Sequence, residues 1–296
     1  MQLSIVVTTL GERPAEIIRL LDSIVEEQVD GLELIVVDQS ATGAALRVAR
    51  AHPVASAMPV VGITSERGAS AGRNAGLRMS TGQLVTFPDD DAWYPPRGLT
   101  TLLRRMEEDQ QISALVFVAR GSDGQISSTT PPRRAGPVSR RLASRLGFES
   151  AMVFRIDSLR AVRGFAQEMG PGSGTPWGAG EGLDLLLRML ATGANMRFDP
   201  SLFIHHEDPD LTDEAWLARV RSYSRGEGYG VARNHCLSLY LYRFVLRPAL
   251  GVASAIVLRQ TDKRRIRTAR ISGHIHGMID GLPARTSSRH ATGAGP

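Results

Sequence analysis

The sequence predicts an α/β fold in which helices flank a mostly parallel sheet, followed by a C-terminal helical extension. Over the first 120 residues, short apolar runs alternate with segments whose apolar residues recur at helical spacing. The apolar runs are continuous, which is typical of parallel strands covered by helices on both faces. Polar clusters follow several of these runs directly, where ligands of such sheets bind.

The predicted elements follow one another in order from the N-terminus. Leu3–Thr8 is a strand, and a helix begins at Pro14 because proline is favoured in the first helical turn. The next elements are strands at Leu32–Val37, Val60–Ile63 and Leu84–Phe87 and helices at Ala44–Ala51 and Ala69–Met79. We therefore predict an α/β domain over residues 1–215, a basic and apolar helical extension over 216–282, and a disordered tail over 283–296.

The composition is that of a globular protein, with 296 residues of which 42% are hydrophobic and 22% charged. Cys236 is the single cysteine, so an internal disulfide framework is excluded and a reducing compartment is favoured. The N-terminus lacks the basic region and long apolar core of a signal peptide. We expect a cytoplasmic protein.

The C-terminal region combines positive charge with apolar sequence. Residues 217–296 hold 14 basic residues against three acidic ones, and Leu237–Leu258 is the most apolar part of the chain. Its uncharged part, Pro248–Leu258, is shorter than the roughly 20 residues that span a bilayer. This pattern predicts a helix lying peripherally on an anionic membrane surface, at the inner face of the cell membrane. A helix buried against the domain or a second subunit is the alternative, and we expect no nucleic-acid partner.

Three adjacent carboxylates, Asp89, Asp90 and Asp91, follow the strand that ends at Phe87. Their mutual repulsion must be offset by cations, hydrogen bonds or a bound metal. Carboxylate oxygens suit Mg²⁺ or Mn²⁺, which often bridge to substrate phosphates. The alternative is a solvated acidic turn.

Other polar residues are expected at the same edge of the sheet. Thr8 and Thr9 end the first strand, and Asp38 and Gln39 follow the second. Within the glycine-rich segment 66–76, Arg67 and Arg73 are candidate phosphate partners. The segment is neither a P-loop nor a dinucleotide fingerprint.

A second acidic site is predicted on a helix that begins near Glu181. Leu183, Leu186, Leu187 and Leu190 form an apolar stripe on this helix, whereas Glu181, Asp184 and Arg188 fall on the opposite face. One interpretation is a general base on a rigid helix end. The other is a structural pair between Asp184 and Arg188, with Glu181 as an acid at the helix N-terminus.

Two adjacent histidines follow a later apolar strand. His205 and His206 come after Leu202–Ile204. A neutral imidazole can complete a metal site that is otherwise made of carboxylates.

Taken in order along the chain, several segments resemble family 2 glycosyltransferases with the GT-A fold, of the bacterial non-processive type. These segments are Ser4–Thr9, Leu34–Ser40, Ala71–Gly76, Phe87–Asp91 and Gly180–Arg188. The resemblance covers residues 1 to about 210. It implies an inverting, metal-dependent transfer of a sugar from a nucleotide-diphosphate donor to the hydroxyl of a glycan or lipid-linked acceptor.

The resemblance also implies roles for individual residues. Asp89–Asp91 corresponds to the DxD element, with Asp91 the main metal ligand and His206 close to the metal. The base lies between Glu181 and Asp184, because the family often has Glu-Asp where this chain has Glu181-Gly182. Nucleotide contacts are expected from Thr8, Asp38, Arg73 and Asn74.

The QxxRW element of processive synthases is missing from the sequence. Its absence favours the addition of a single sugar. A nucleotidyltransferase and a non-catalytic glycan- or membrane-binding module are the alternative functions.

Overall fold

The computed structural model describes residues 2–121, 132–207, 213–236 and 241–287. The chain forms two compact units, Met1–Phe165 with Met189–Pro209, and Ala166–Arg188 with Asp210–Pro296. The segment 166–188, expected within the first domain, therefore belongs with the C-terminal helices. The functional division of the chain at residue 215 stays a prediction.

A mixed sheet forms the centre of the first unit. Its strands are β1 (Leu3–Thr9), β2 (Leu32–Asp38), β3 (Val60–Thr64), β4 (Leu84–Thr86), β5 (Ala92–Trp93), β6 (Ala114–Arg120), β7 (Gly136–Pro137), β8 (Met152–Arg155) and β9 (Met196–His206). Their order is β3-β2-β1-β4-β8-β6-β9-β5, and β7 pairs with β9. The four predicted strands are confirmed.

The sheet is parallel on one side and mixed on the other. Strands β3, β2, β1 and β4 run parallel, whereas β8 runs antiparallel to both of its neighbours, β4 and β6. Strand β9 returns parallel to β6. The carboxyl ends of β1, β2 and β4 therefore lie at one edge, as the sequence predicts.

Helices lie in the chain between these strands. In the first unit they are α1 (Pro14–Val25), α2 (Ala44–Ala51), α3 (Val54–Ala57), α4 (Ala69–Met79), α5 (Gly98–Glu108), α6 (Arg140–Ala143) and α7 (Ile156–Ala161). The predicted bounds of α2 and α4 are confirmed. Helix α4 packs closely on β1, because a Cβ at Gly72 or Gly76 would lie 2.2 Å from Thr8 Cγ2 or Val6 Cγ1. These glycines therefore set the distance between helix and sheet.

The second unit is helical, which confirms the predicted C-terminal helices. Helix α8 (Glu181–Ala191) begins in this unit, followed by α9 (Asp213–Arg233), a π-helical turn (Tyr242–Leu246), α10 (Arg247–Val257) and α11 (Thr261–Ser287). Helices α9 and α11 pack backbone to backbone, because a Cβ at Gly277 would lie 1.9 Å from the carbonyl oxygen of Arg225.

Helix α11 continues to Ser287, past the predicted start of a disordered tail at residue 283. The rest of that predicted tail, 288–296, lies outside the described residues. None of the helices within the described ranges is long and apolar enough to cross a membrane.

Candidate functional site

The aspartate triplet lies where the sequence predicts it, just beyond the carboxyl end of β4. Asp89 forms a parallel bridge with Thr8, so the ends of β1 and β4 meet there. The backbone N–H of Asp89 donates to Ser150 Oγ at 2.9 Å. This contact joins the triplet to the 3₁₀ turn Glu149–Ala151 that precedes β8.

Asp89, Asp91 and His206 form a cluster that could hold a metal ion, each offering one ligand atom within 4.8 Å of the others. His206 ends β9, and its Nε2 lies 3.3 Å from Asp91 Oδ1 and 3.9 Å from Asp89 Oδ2. His206 lies more than a hundred residues after Asp91 in the sequence, yet its imidazole adds a third candidate ligand to the two carboxylates. The predicted ligand set is brought together in one place.

The donor atoms of this cluster fit a hard divalent cation. Asp91 Oδ1 is buried, and no group among the described residues gives it a hydrogen bond of good geometry, although His206 is close. Burial raises the pKa of Asp91, an effect that the nearby His206 imidazole and the charge of Arg13 only partly oppose. A carboxylate oxygen buried in this way gains most from a bound cation, and two carboxylates with an imidazole suit Mg²⁺ or Mn²⁺.

Two arginines offset part of the repulsion within the triplet. Arg73 donates from Nη2 to Asp89 Oδ1 at 2.9 Å, and Arg13 donates to Asp91. Burial opposes ionisation of Asp89, but the charge of Arg73 and the nearby His206 imidazole outweigh it and hold the pKa of Asp89 below its usual value. The three carboxyl groups therefore have unequal environments.

Asp90 accepts a hydrogen bond from Thr9 Oγ1 at 2.5 Å, yet burial raises its pKa to about 6. Between pH 3.8, the ordinary pKa of the group, and about pH 6, Asp90 of the folded protein holds a proton that Asp90 of the unfolded chain has released. The free energy of unfolding therefore falls as the pH rises through this window.

We expect Asp90→Asn to stabilise the metal-free protein by up to about 3 kcal/mol above pH 6 and to have little effect below about pH 4. Denaturant unfolding of wild type and variant in EDTA, below about pH 4 and above pH 6, measures this difference in the free energy of unfolding. A gain that is the same at both ends would contradict the assigned cause.

Asp38 and Gln39 hold the loops at the end of β2. The Asp38 carboxylate accepts the backbone N–H groups of Ser40 at 2.9 Å and Leu46 at 3.0 Å. Burial opposes ionisation, but these hydrogen bonds hold the pKa of Asp38 below its usual value. Gln39 donates from Nε2 to the carbonyl oxygens of Glu66 and Gly68, which fixes the loop before α4.

The other predicted nucleotide contacts have different environments. Arg73 is buried beside Asp89, whereas Arg67 is exposed. Thr8 Oγ1 is buried without a hydrogen-bond partner among the described residues. The Asn74 side chain exchanges two hydrogen bonds with the backbone of Phe165, at 2.8 and 2.9 Å. Asn74 therefore has a structural role in this state, and its contact with a nucleotide stays a prediction.

Asp184, in the second unit, is completely buried and fully hydrogen-bonded. Its Oδ2 accepts from Arg188 Nε at 2.7 Å and its Oδ1 from Asn234 Nδ2 at 2.8 Å. Arg233 Nε lies 3.7 Å from Oδ1. The Asp184–Arg188 pair is confirmed, and the arrangement favours a structural role for this acid.

Glu181 occupies the first turn of α8 and is 2% exposed. A Cβ at Gly170 would lie 2.7 Å from its Oε1, and Gly170 has a φ of +99°. Glycine at position 170 therefore leaves the space that the carboxylate fills. Glu181 and Asp184 are both buried, so the helix face opposite the predicted leucine stripe is also covered at these two positions.

Several contacts of the candidate site could hardly be predicted from the sequence. Arg13 touches Asp90 and Asp91, and Ser150 and Glu149 lie beside the triplet and Arg73. Only Arg13 could have been found, because it follows the carboxyl end of β1. Trp177 stacks on Tyr229, with ring centroids 3.7 Å apart, and its Nε1 donates to Asp280.

Comparison with known proteins identifies the family. The model of glycosyl transferase family 2 matches residues 4–163, which include the whole aspartate triplet. The chain belongs to glycosyl transferase family 2. The family predicted from the sequence is thereby confirmed.

The curated relatives that match this chain are distant. The chain is 29% identical over 168 residues to a pre-mycofactocin glycosyltransferase of Mycobacterium tuberculosis, covering 53% of this chain and 33% of the relative. It is 29% identical over 118 residues to an uncharacterized glycosyltransferase of Haemophilus influenzae, covering 40% and 39%. The chain thus spans between a third and two fifths of the length of these relatives.

Solved structures confirm the predicted GT-A fold. The mannosyltransferase PcManGT from Pyrobaculum calidifontis, in complex with GDP-Man and Mn²⁺, matches with a TM-score of 0.63 at 19% identity, covering 99% of this chain and 88% of that one. S. aureus TarS in complex with UDP-GlcNAc matches with a TM-score of 0.62 at 14% identity, covering 98% and 92%. At these identities the likeness concerns the fold alone.

Proposed function

We propose that this protein is an inverting, metal-dependent glycosyltransferase that moves one sugar from a nucleotide-diphosphate donor to an acceptor hydroxyl. The observation that carries the proposal is the cluster of Asp89, Asp91 and His206 beside the ends of β1 and β4. Family membership supports it, as do the GDP-Man and UDP-GlcNAc complexes of proteins with the same fold.

Asp89, Asp91 and His206 would hold the divalent cation, Mg²⁺ or Mn²⁺. When bound, the cation supplies positive charge beside the diphosphate, which becomes more negative as it leaves. Arg67, exposed just before α4, supplies a further cation for the phosphates. Thr8, Thr9, Asp38 and Gln39 shape the adjoining strand ends against which the nucleotide would lie.

Glu181 accepts the proton of the acceptor hydroxyl in this proposal. The hydroxyl oxygen bonds to the anomeric carbon from one face while the bond to the diphosphate oxygen breaks on the other, so the configuration inverts. Asp184 is the weaker candidate, because both of its oxygens already accept hydrogen bonds from Arg188 and Asn234. We propose that the acceptor is a glycan or a lipid-linked molecule.

The experiment is a donor panel of UDP-glucose, UDP-GlcNAc and GDP-mannose, incubated with the full chain and Mg²⁺, Mn²⁺ or EDTA. We expect release of the nucleoside diphosphate from one donor, abolished by EDTA and restored by Mn²⁺. Binding without release would indicate a non-catalytic module. Release of a nucleoside monophosphate or of pyrophosphate would indicate nucleotidyl chemistry, and either outcome would overturn the proposal.

A further inference from the structure

The helical segment 242–257 carries exposed apolar side chains along one face. Tyr242 is 63% exposed, Leu246 52%, Leu250 69% and Val257 80%. Their spacing of four, four and seven residues places them on one side of a helix. We call these four residues the apolar stripe. Leu258, the residue after the helix, is also exposed, at 61%.

The opposite face of the same segment is already packed. Phe244 is 7% exposed and Ala255 1% exposed, and α10 packs against α11. Arg267 of α11 donates a hydrogen bond to the carbonyl oxygen of Gly251. The segment is therefore fixed through its inner face, while the apolar stripe faces solvent. A contiguous apolar surface of this kind marks an interaction site.

Exposed cations accompany the stripe. Arg247, Arg259, Lys263, Arg264 and Arg265 are exposed, and we call them the cationic cluster. Asp262 is the single acidic residue between positions 241 and 279. Because α10 ends at Val257 and α11 begins at Thr261, most of the cluster follows directly on the C-terminal end of the stripe.

We propose that the apolar stripe and the cationic cluster together form a docking surface for an anionic lipid membrane. The stripe would enter the boundary between headgroups and acyl chains, and the cations would contact lipid phosphates. The helix would lie in the membrane plane, because α10 has 11 residues, about half of what a spanning helix needs.

Charge decides between a membrane and a second copy of the chain as the occupant. Two copies joined through the stripe would place the cations of both clusters at one interface with one acid each to offset them, and like charges repel. An anionic surface instead complements every cation of the cluster. The proposal is independent of the glycosyltransferase function, because binding is measured without any donor.

The test is sedimentation of the full chain with phosphatidylcholine vesicles, with and without phosphatidylglycerol. One variant combines Leu250→Glu and Val257→Glu, and another combines Lys263→Gln, Arg264→Gln and Arg265→Gln. The matched controls make the same changes on exposed residues of the first unit. They are Ile18→Glu with Met79→Glu, and Arg50→Gln, Arg78→Gln and Arg104→Gln together.

We expect the wild type to partition mainly to the anionic vesicles, and less as salt is raised. Each docking variant should lower this partition on the order of a hundredfold, from the loss of apolar burial in one and of three cations in the other. The two control variants should partition as the wild type does.

Two results would overturn the proposal. One is equal partition by the docking variants and the wild type. The other is a wild-type dimer on size exclusion that Leu250→Glu with Val257→Glu converts to a monomer, without any vesicle binding, which would make a second copy the occupant. Circular dichroism of each variant checks that it is folded.

Discussion

Asp91→Asn is expected to lower kcat for sugar transfer on the order of a thousandfold while leaving the protein folded. The substitution removes the charge of a carboxylate whose Oδ1 is buried beside His206 Nε2. Loss of a metal ligand forfeits several kcal/mol of charge stabilisation in the transition state, and about 1.4 kcal/mol corresponds to a factor of ten in rate.

The stability of the Asp91→Asn protein should not fall. Burial raises the pKa of Asp91, so its ionised form is unfavourable in the folded state without a cation. The contact with Arg13 that the variant loses involves a half-exposed guanidinium, and such pairs contribute little. We therefore expect a melting temperature at or above that of the wild type in EDTA.

Two measurements separate the loss of metal from the loss of fold. Titration with Mn²⁺ should show weakened binding by Asp91→Asn, whereas the exposed control Asp30→Asn should bind as the wild type does. Transfer at the wild-type rate by Asp91→Asn would show that this carboxylate is not a ligand of the catalytic metal.

Local patterns explain why much of the fold could be predicted. Helix α4 was predicted with its observed bounds because its small residues and the following turn are encoded within a few positions. The antiparallel course of β8 could not be predicted. Its pairing joins Arg155 to Leu84, and the sequence of a four-residue strand carries no information on the partner or the direction of that strand.

Some contacts of the candidate site can likewise be predicted from the sequence, and others cannot. The Thr8–Asp89 bridge follows from parallel strand ends, and the Asp184–Arg188 pair follows from helical spacing. The hydrogen bond from Asn234 to Asp184 joins residues 50 positions apart, and local sequence patterns do not predict contacts over such a separation. That contact favours a structural role for Asp184, and the sequence alone leaves the base undecided between Glu181 and Asp184.

Glu181→Gln and Asp184→Asn should impair different properties, the first the rate of transfer and the second the stability of the fold. Glu181→Gln should keep the melting temperature of the wild type and lower kcat by about 10²- to 10⁴-fold, the usual contribution of a general base. Glutamine has the shape of glutamate, so it fits the space beside Gly170. If Glu181 is the base, as proposed, the defect of this variant therefore lies in the transfer step and not in folding.

Asp184→Asn should instead destabilise the protein by about 3–5 kcal/mol, the cost of breaking a buried ion pair. Arg188 Nε and Asn234 Nδ2 both donate to Asp184, from either side of the carboxylate. Whichever way an asparagine amide is turned, its NH₂ group faces one of these donors, and Arg188 loses its buried counter-charge.

Thermal unfolding and single-turnover transfer at a temperature where both variants are folded distinguish the two roles. Asp184→Asn should then retain most of its rate, and Glu181→Gln should not. A folded Asp184→Asn protein that is inactive, beside an active Glu181→Gln protein, would assign the base to Asp184. It would also require the hydrogen bonds of Arg188 and Asn234 to rearrange when the acceptor binds.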